Sequence, residues 1–319
     1  MRRRIATLAA AALVALPGAA VPAVAAGAGT RAEAPVERAP RLPVQVRDAE
    51  GRRVTVRDTR RIVSLNGDVT EVVFALGLGA RVVGADTSST YPAAARTLQT
   101  IGNERSLSAE GILSLSPSLV IGSTNAGPKA VIEQIRGAGV PVLILPDDER
   151  MSGVVTKIRN VARALGVPRR AARLAARVQD EIAAARAKAT VARVRPRVAF
   201  LYLRGSRVQL LGGRGSRADV MIEAAGGVNV GSELGIRNFV PVTAEALVAA
   251  RPDVILVPEA GLASVGGVDG LLRIPGVAQT PAGQARKVLA YDDLMLLALG
   301  PRTGKAIDLL RRGLHPELG

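Results

Sequence analysis

The amino-acid sequence predicts an α/β fold: two lobes with parallel sheets, joined by one long helix, with a ligand cleft between the lobes. Three observations lead there. Short apolar runs alternate with helical segments through most of the 319 residues, the pattern of parallel sheets covered by helices on both faces. One cassette occurs twice. Its first copy is Leu107-Ser108-Ala109-Glu110-Gly111-Ile112-Leu113, then Ser116-Pro117, then Leu119-Val120-Ile121. Its second is Val242-Thr243-Ala244-Glu245-Ala246-Leu247-Val248, then Arg251-Pro252, then Val254-Ile255-Leu256-Val257, with Glu245 following Glu110 by 135 positions. Between the copies, Pro168 to Thr190 reads as one helix, with Pro well placed in its first turn and Leu174, Val178 and Ile182 on one stripe. Two equivalent lobes of one chain leave a cleft at their junction, where ligands ordinarily sit.

In chain order, residues 1–26 carry the basic run Arg2-Arg3-Arg4, an apolar stretch from Ile5 to Leu16, and the small-x-small site Ala23-Val24-Ala25. This is the layout of a cleavable signal peptide. The apolar stretch is shorter than the roughly 20 residues that span a bilayer. Residues 27–42 are rich in Ala, Gly, Pro and Arg without period and read as a disordered leader. The N-terminal lobe is assigned to 43–166. It opens on a hairpin, Val44 to Arg47 and Val54 to Val56 around Asp48-Ala49-Glu50-Gly51. Strands follow at 61–65, 82–85, 119–121 and 140–145. Helices are read at 69–76, 109–115 and 129–137. The connecting helix occupies 167–194. The C-terminal lobe, 195–319, repeats the theme with strands at 198–202, 254–257 and 288–291 and helices at 218–225, 245–250 and 303–314.

Composition narrows the function. There is no cysteine, which excludes disulfides, thiolate metal sites and a lipid-anchored cysteine. A soluble, untethered exported chain fits the periplasm of a two-membrane cell. The formal charge of +16 favours anionic partners. Export, and an aromatic content of 2% that leaves few surfaces for stacking bases, argue against nucleic acid. His315, the one histidine, reads as an exposed residue of the C-terminal tail. A multi-histidine metal site and a Ser-His-Asp triad are therefore closed.

Among candidate site residues, Tyr91 stands out. It lies in Asp86-Thr87-Ser88-Ser89-Thr90-Tyr91-Pro92, beyond a strand's carboxyl end, where open α/β sheets place their binding loops. A phenolate is a hard oxygen ligand that suits ferric iron, and tyrosine is an axial ligand of haem. Asn66, in the turn after the first strand of the lobe, and Asn125 are further ligand-binding candidates. Met295 and Leu296, near the late strand, are candidates for an apolar wall. Arg204, Arg207, Arg214, Arg237 and Arg302 read as loop or helix-start arginines of the second lobe, individually solvated, with Arg237 the best placed for a ligand carboxylate. Gly213-Arg214-Gly215-Ser216-Arg217-Ala218 matches G-x-G-x-x-A, but the acidic partner expected about 20 residues on is missing, since Asn238 stands near that place. The glycines read instead as a turn at the lobe's edge. Glu110 and Glu245 sit in the first turns of short helices, where acids are ordinary dipole partners. Their recurrence, one per lobe, points to a shared role.

These elements carry a resemblance. Arg61 to Leu76, the Asp86 to Pro92 loop, the two glutamate cassettes, Ala224 to Asn229 and Leu299-Gly300-Pro301-Arg302-Thr303 resemble the periplasmic haemin-binding proteins of bacterial ABC haem importers, over residues 43 to the C-terminus. The wider class, binding proteins built on one long spine helix, also serves siderophores and vitamin B12. The resemblance implies two Rossmann-like lobes with limited hinge motion. It implies haem as the transported ligand and Tyr91 as the axial ligand of its iron. It implies that Glu110 and Glu245 dock on the permease of an inner-membrane ABC importer with its ATPase. Arg237-Asn238-Phe239 stands where family members often carry Tyr or Lys. Arg237 is accordingly expected to cap the distal face, hydrogen-bond Tyr91 or meet a propionate. The expected protein is a monomeric carrier rather than an enzyme. A ferric siderophore or a cobalamin is the alternative ligand; a nucleotide-dependent oxidoreductase using Gly213 to Ala218 and an adhesive or structural exported protein are the other classes.

Overall fold

The residues described in this computed structural model are 39–318, so the signal peptide read at 1–26 and most of the leader lie outside them. The end of that leader is held in place: the Arg41 N–H donates to the Gly166 carbonyl at 2.9 Å, and Leu42 packs on the core.

The apolar runs of the first lobe show no alternation, as strands buried on both faces require. They form a five-stranded parallel sheet in the order Gln99–Thr100, Val82–Ala85, Ile62–Ser64, Leu119–Ser123, Val142–Leu145. The second lobe centres on Arg197–Arg204, which pairs in parallel with Val254–Pro258, itself parallel to Val288–Tyr291. This sheet is not parallel throughout. Val208–Gly212 runs antiparallel to Arg197–Arg204, and Phe239–Pro241 antiparallel to Val208–Gly212. Only Gly205, Ser206 and Arg207 separate the first two strands. A parallel crossover needs about a dozen residues or more, so so short a link makes a hairpin.

The two cassettes fold alike in detail. Ser108 caps the first helix, its Oγ accepting from the Gly111 N–H, and Thr243 caps the second, its Oγ1 accepting from the Ala246 N–H. Each helix then turns through a left-handed residue just before proline, Ser116 at φ 45° and Arg251 at φ 44°. In each lobe an arginine at the entry to the central strand donates to a carbonyl at the C-terminal end of the cassette helix or in the turn just after it. Arg61 donates to the Leu115 carbonyl at 2.6 and 3.1 Å, and Arg197 to the Ala250 carbonyl at 2.9 and 3.1 Å. Cations there complement the negative end of the helix dipole.

The connecting helix spans Pro168–Ala189. Its buried stripe of Ala171, Leu174, Ala175, Val178, Ile182 and Ala185 belongs to one apolar cluster with Ile62 and Val72 of the first lobe and Val198 and Phe200 of the second. It packs on Gly153–Ala164, a helix the sequence pattern does not announce, and on Thr303–Leu314. His315 closes Thr303–Leu314 and is 1% exposed. The expectation of an exposed tail residue is wrong, because the final turn docks against Gly226 and Ala189. No helix among the described residues is long and apolar enough to cross a membrane.

The G-x-G-x-x-A segment joins Val208–Gly212 to the helix Arg217–Ala224; Gly213 serves close backbone approach and Gly215 a left-handed turn at φ 87°. A Cβ on Gly213 would lie 2.3 Å from the Ile236 carbonyl oxygen. Gly213→Ala is expected to lose about 1–3 kcal/mol of stability through that clash, read as a lowered urea midpoint with an unchanged slope.

Candidate functional site

The cleft lies between the two lobes and encloses about 650 Å³. Ser88, Thr90, Glu104, Arg105 and Asn125 line it from the first lobe; Tyr202, Arg204, Leu210, Phe239, Leu294 and Leu297 line it from the second. Arg217 and Ala298 lie at the same junction.

The Tyr91 loop is fixed by its own short polar side chains. The Asp86 carboxylate accepts from the Ser88 N–H at 3.0 Å, the Ser88 hydroxyl at 2.6 Å and the Ser89 hydroxyl at 2.8 Å. Ser88 Oγ in turn accepts from the Gly67 N–H, and Arg96 Nε donates to the Thr90 carbonyl at 2.7 Å. Burial pushes the Asp86 carboxyl up, against the opposing pull of the serine hydrogen bonds. The loop therefore presents Tyr91 from a rigid base. Tyr91 is 42% exposed, and its hydroxyl has no hydrogen-bond partner among the described residues. The Tyr91 ring itself stands beside the lined cleft, next to Thr90.

Arg302, from the opposite lobe, covers that ring with its guanidinium carbon 3.7 Å from the centroid. A cation at this distance from an aromatic face is attracted by the ring quadrupole. Arg302 is itself held by two hydrogen bonds to the buried Glu71 carboxylate, at 3.1 and 3.0 Å. Burial raises the Glu71 carboxyl, and Arg302 offsets this only in part. The expectation that Arg302 is individually solvated differs from the structure, in which it is clamped between the Tyr91 ring and the Glu71 carboxylate.

A second set of charges crosses the seam below the cleft. Lys157 is buried and donates to Asp68 at 2.5 Å and to the Ala298 carbonyl at 2.8 Å. Asp147 lies 3.4 Å from Lys157 and pairs with Arg217 of the second lobe. Arg217 also donates to the Leu297 carbonyl at 3.0 Å. Burial alone would raise the Asp68 carboxyl; the Lys157 ammonium and then Arg217 outweigh it and hold the carboxyl below its ordinary range.

Several expected contacts are redirected by this geometry. Asn66 is 1% exposed, and both ends of its amide are used internally: Nδ2 donates to Glu104 at 2.5 Å, and Oδ1 accepts from the Ser123 N–H at 2.6 Å. It pins two loops of the cleft wall. Arg237 is an exposed residue whose backbone bridges Arg214, and it is not among the residues that line the cleft. Its neighbour Phe239 supplies the wall instead. Met295 packs into the core and Leu296 is buried, because the helix Asp293–Leu297 turns Leu294 and Leu297 to the cleft. Asn125 does line the cleft, with its Nδ2 donating to Asp147 at 2.8 Å. Glu110 and Glu245 are exposed and without an ion-pair partner among the described residues. Tyr202 and Phe239 escape sequence reasoning because one sits within a core-like strand and the other beside two polar residues. Among the described residues no group of three or more His, Asp or Glu is placed to hold a metal ion.

Comparison with known proteins gives three findings. Residues 62–294 match the model of the periplasmic binding protein family. The periplasmic heme-binding protein RhuT from Roseiflexus sp. RS-1, in apo form, superposes with a TM-score of 0.80 and is 54% identical, covering 82% of this chain and 100% of that one. Two curated relatives are more distant. An uncharacterised ABC transporter substrate-binding lipoprotein, YvrC, of Bacillus subtilis is 25% identical over 86% of this chain and 87% of its own. A cobalamin-binding protein of Halobacterium salinarum is 29% identical over 70% of this chain and 60% of its own.

Removing the buried cation should expose how much the seam depends on it. Lys157→Met strands Asp68 and is expected to cost about 3–5 kcal/mol, read by urea unfolding at neutral pH. The sign with pH follows from Asp68. Its lowered carboxyl contributes stability that is complete above its ordinary value of 3.8 and is lost as pH falls below it. Glu71 and Asp86, raised by burial, act in the opposite sense. The Asp68 increment is therefore read as the difference between wild type and Lys157→Met, and that difference should shrink on acidification.

Proposed function

The chain belongs to the periplasmic binding protein family, and from that premise we propose that it captures ferric haem and delivers it to an ABC importer. Family membership puts its work outside the cytoplasmic membrane. The observation that carries the ligand assignment is Tyr91: a phenol with a free hydroxyl, on a rigid loop beside an interlobe cleft, under an arginine. The 54% identity to a haem-binding protein over that protein's whole length supports the same ligand. The tyrosine oxygen suits ferric iron. Leu210, Leu294, Leu297 and Phe239 offer an apolar surface for the macrocycle. Arg105 and Arg204 on opposite walls suit its two carboxylates.

Delivery rests on the repeated cassette. Glu110 and Glu245 occupy equivalent, exposed positions on capped helices, one per lobe, and each is free to pair with a permease arginine. The absence of cysteine fits a carrier released into the periplasm after signal cleavage, without a lipid anchor. The carrier acts as a monomer and turns nothing over. The ABC permease and its ATPase are its partners.

Titration of the mature chain with haemin, followed in the visible spectrum, tests the ligand. Wild type should give a tyrosinate-type ferric spectrum, and Tyr91→Phe should lose it and bind at least about tenfold more weakly, a loss of about 1.4 kcal/mol. Tight cobalamin or ferric siderophore binding with no haemin response would overturn the assignment. Docking has a separate signature. The double variant Glu110→Lys, Glu245→Lys should bind haemin as wild type does while failing to support transport by the reconstituted importer.

A further inference from the structure

We propose that the end of the second lobe remote from the cleft, where the connecting helix passes into the central strand, is a docking surface for a bilayer of anionic phospholipid. The proposal does not rest on the haem reading. The formal charge of +16 is not used up at the cleft, where Arg204, Arg217 and Arg302 are paired with acids. Part of the excess gathers at the link from Thr190 to Pro196 and at the last turn of Thr303–Leu314. Lys188, Arg193, Arg195 and Arg312 are all exposed there. Arg193 has no ion-pair partner among the described residues. Lys188, Arg311 and Arg312 share a single carboxylate, Asp308, at 3.8, 3.1 and 2.7 Å.

Two bare valines stand among these cations. Val191 is 65% and Val194 71% exposed, the most exposed large apolar side chains among the described residues. An open groove of about 530 Å³ lies between the two helix ends, lined by Ala187, Lys188, Val191, Arg311, Arg312 and Leu318. The link is held in this shape. The Ala192 N–H donates to the Ala189 carbonyl at 3.3 Å, Arg195 to the Gly227 carbonyl at 2.7 Å, and the Val228 N–H to the Pro196 carbonyl at 2.9 Å. Valines fixed in water among arginines gain nothing from a free phosphate. A bilayer interface offers both partners, phosphate for the guanidinium groups and acyl chain for the valines. Such binding grows with buried apolar area and with anionic lipid together. Each basic residue near an anionic membrane strengthens the contact roughly fivefold.

The strand Arg197–Arg204 fixes the orientation. It begins directly after the link and ends at Arg204 in the cleft, eight residues or about 26 Å away. The helix Ala244–Ala250 runs the other way. Its Ala250 carbonyl accepts from Arg197, so Glu245 in the first turn lies toward the cleft end. The bond from Arg61 to the Leu115 carbonyl sets the same direction for Glu110. A chain seated on the valines therefore turns its cleft and both glutamates away from the bilayer. That is an orientation for loading, and docking on a permease requires release from it. The chain has no cysteine to carry a lipid, and a reversible contact of this kind keeps it near the membrane while leaving it free to turn.

Cosedimentation of the mature chain with vesicles is the test, with phosphatidylcholine alone set against a mixture of phosphatidylcholine and phosphatidylglycerol. Wild type is expected to bind the mixed vesicles at low salt, to leave them as salt is raised, and to ignore phosphatidylcholine. Arg193→Gln should bind roughly fivefold more weakly. The double variant Val191→Ser, Val194→Ser should also lose binding at unchanged charge. Each variant is first shown to keep the wild-type urea midpoint, so that lost binding reports the surface. Because the chain has no native cysteine, Val194→Cys and Glu245→Cys each carry a single polarity-sensitive fluorophore. The label at position 194 should shift to shorter wavelength on mixed vesicles, and the label at 245 should not. Equal binding to both vesicle types, or wild-type binding by Arg193→Gln or by the valine double variant, overturns the proposal. A shift at 245 without one at 194 places the contact at the cleft end and overturns it too. No shift at 194, with polyaspartate displacing the vesicles completely, assigns the patch to an acidic protein and likewise overturns it. None of these outcomes bears on the haemin titration.

Discussion

Lys157 is a cation in the interior, and an unpaired charge there would cost several kcal/mol. Its partners solve that problem and, in doing so, set the geometry of the cleft. Asp68 and Asp147 come from the first lobe, while the Ala298 carbonyl and Arg217 come from the second. None of these groups can move away without stranding another. Arg302 and Glu71 repeat the arrangement about one helical turn along from Asp68. The walls of the cleft are thus referenced to one another through buried charge, and the apolar stripe of Pro168–Ala189 backs them from behind. A large rotation of one sheet against the other would strip Leu174, Val178 and Ile182 of neighbours they share with both lobes. Polar seam and apolar spine together favour a cleft that is largely formed before its ligand arrives, which reduces the ordering that binding must accomplish.

How much of this was legible in the sequence depends on the range of the interaction. The lobes, the spine helix and the twin cassettes are local patterns. Strand runs, Ser and Thr caps and prolines after helices write themselves along the chain, and the structure repeats even the left-handed turns at Ser116 and Arg251. The edge of the second sheet is legible too, in the three-residue link after Arg204 that is too short for a parallel crossover. The site was less legible. Tyr91 announces itself through its loop. Arg302 does not: 231 positions separate it from Glu71, and no local pattern tells a clamped arginine from a solvated one. Asn66 shows the same limit: nothing local to its turn signals the two long-range hydrogen bonds of its amide, to Glu104 and Ser123. His315, placed near a chain end, was judged by position, whereas burial is decided by what the last helix packs on.

The charge of the chain shows the same limit and resolves into something more useful. A formal +16 drew attention to anionic ligands, yet the arginines at the cleft are already paired: Arg302 with Glu71, Arg217 with Asp147, Arg204 with Asp293. The two innermost pairs are shielded and hold the seam. Arg204 differs, since its pair with Asp293 is partly exposed, and exposed pairs contribute about 1 kcal/mol or less. Arg105 is looser still, 3.9 Å from Glu104 with a largely exposed side chain. A ligand carboxylate can therefore take Arg105 outright and compete for Arg204 by exchanging one carboxylate for another, a substitution of nearly equal energy. Any such exchange reaches the aromatic wall, because Arg204 rests on Tyr202. On the opposite wall the arginine over the aromatic ring is committed: Arg302 gives two hydrogen bonds to the buried Glu71 carboxylate and has no comparable exchange open to it.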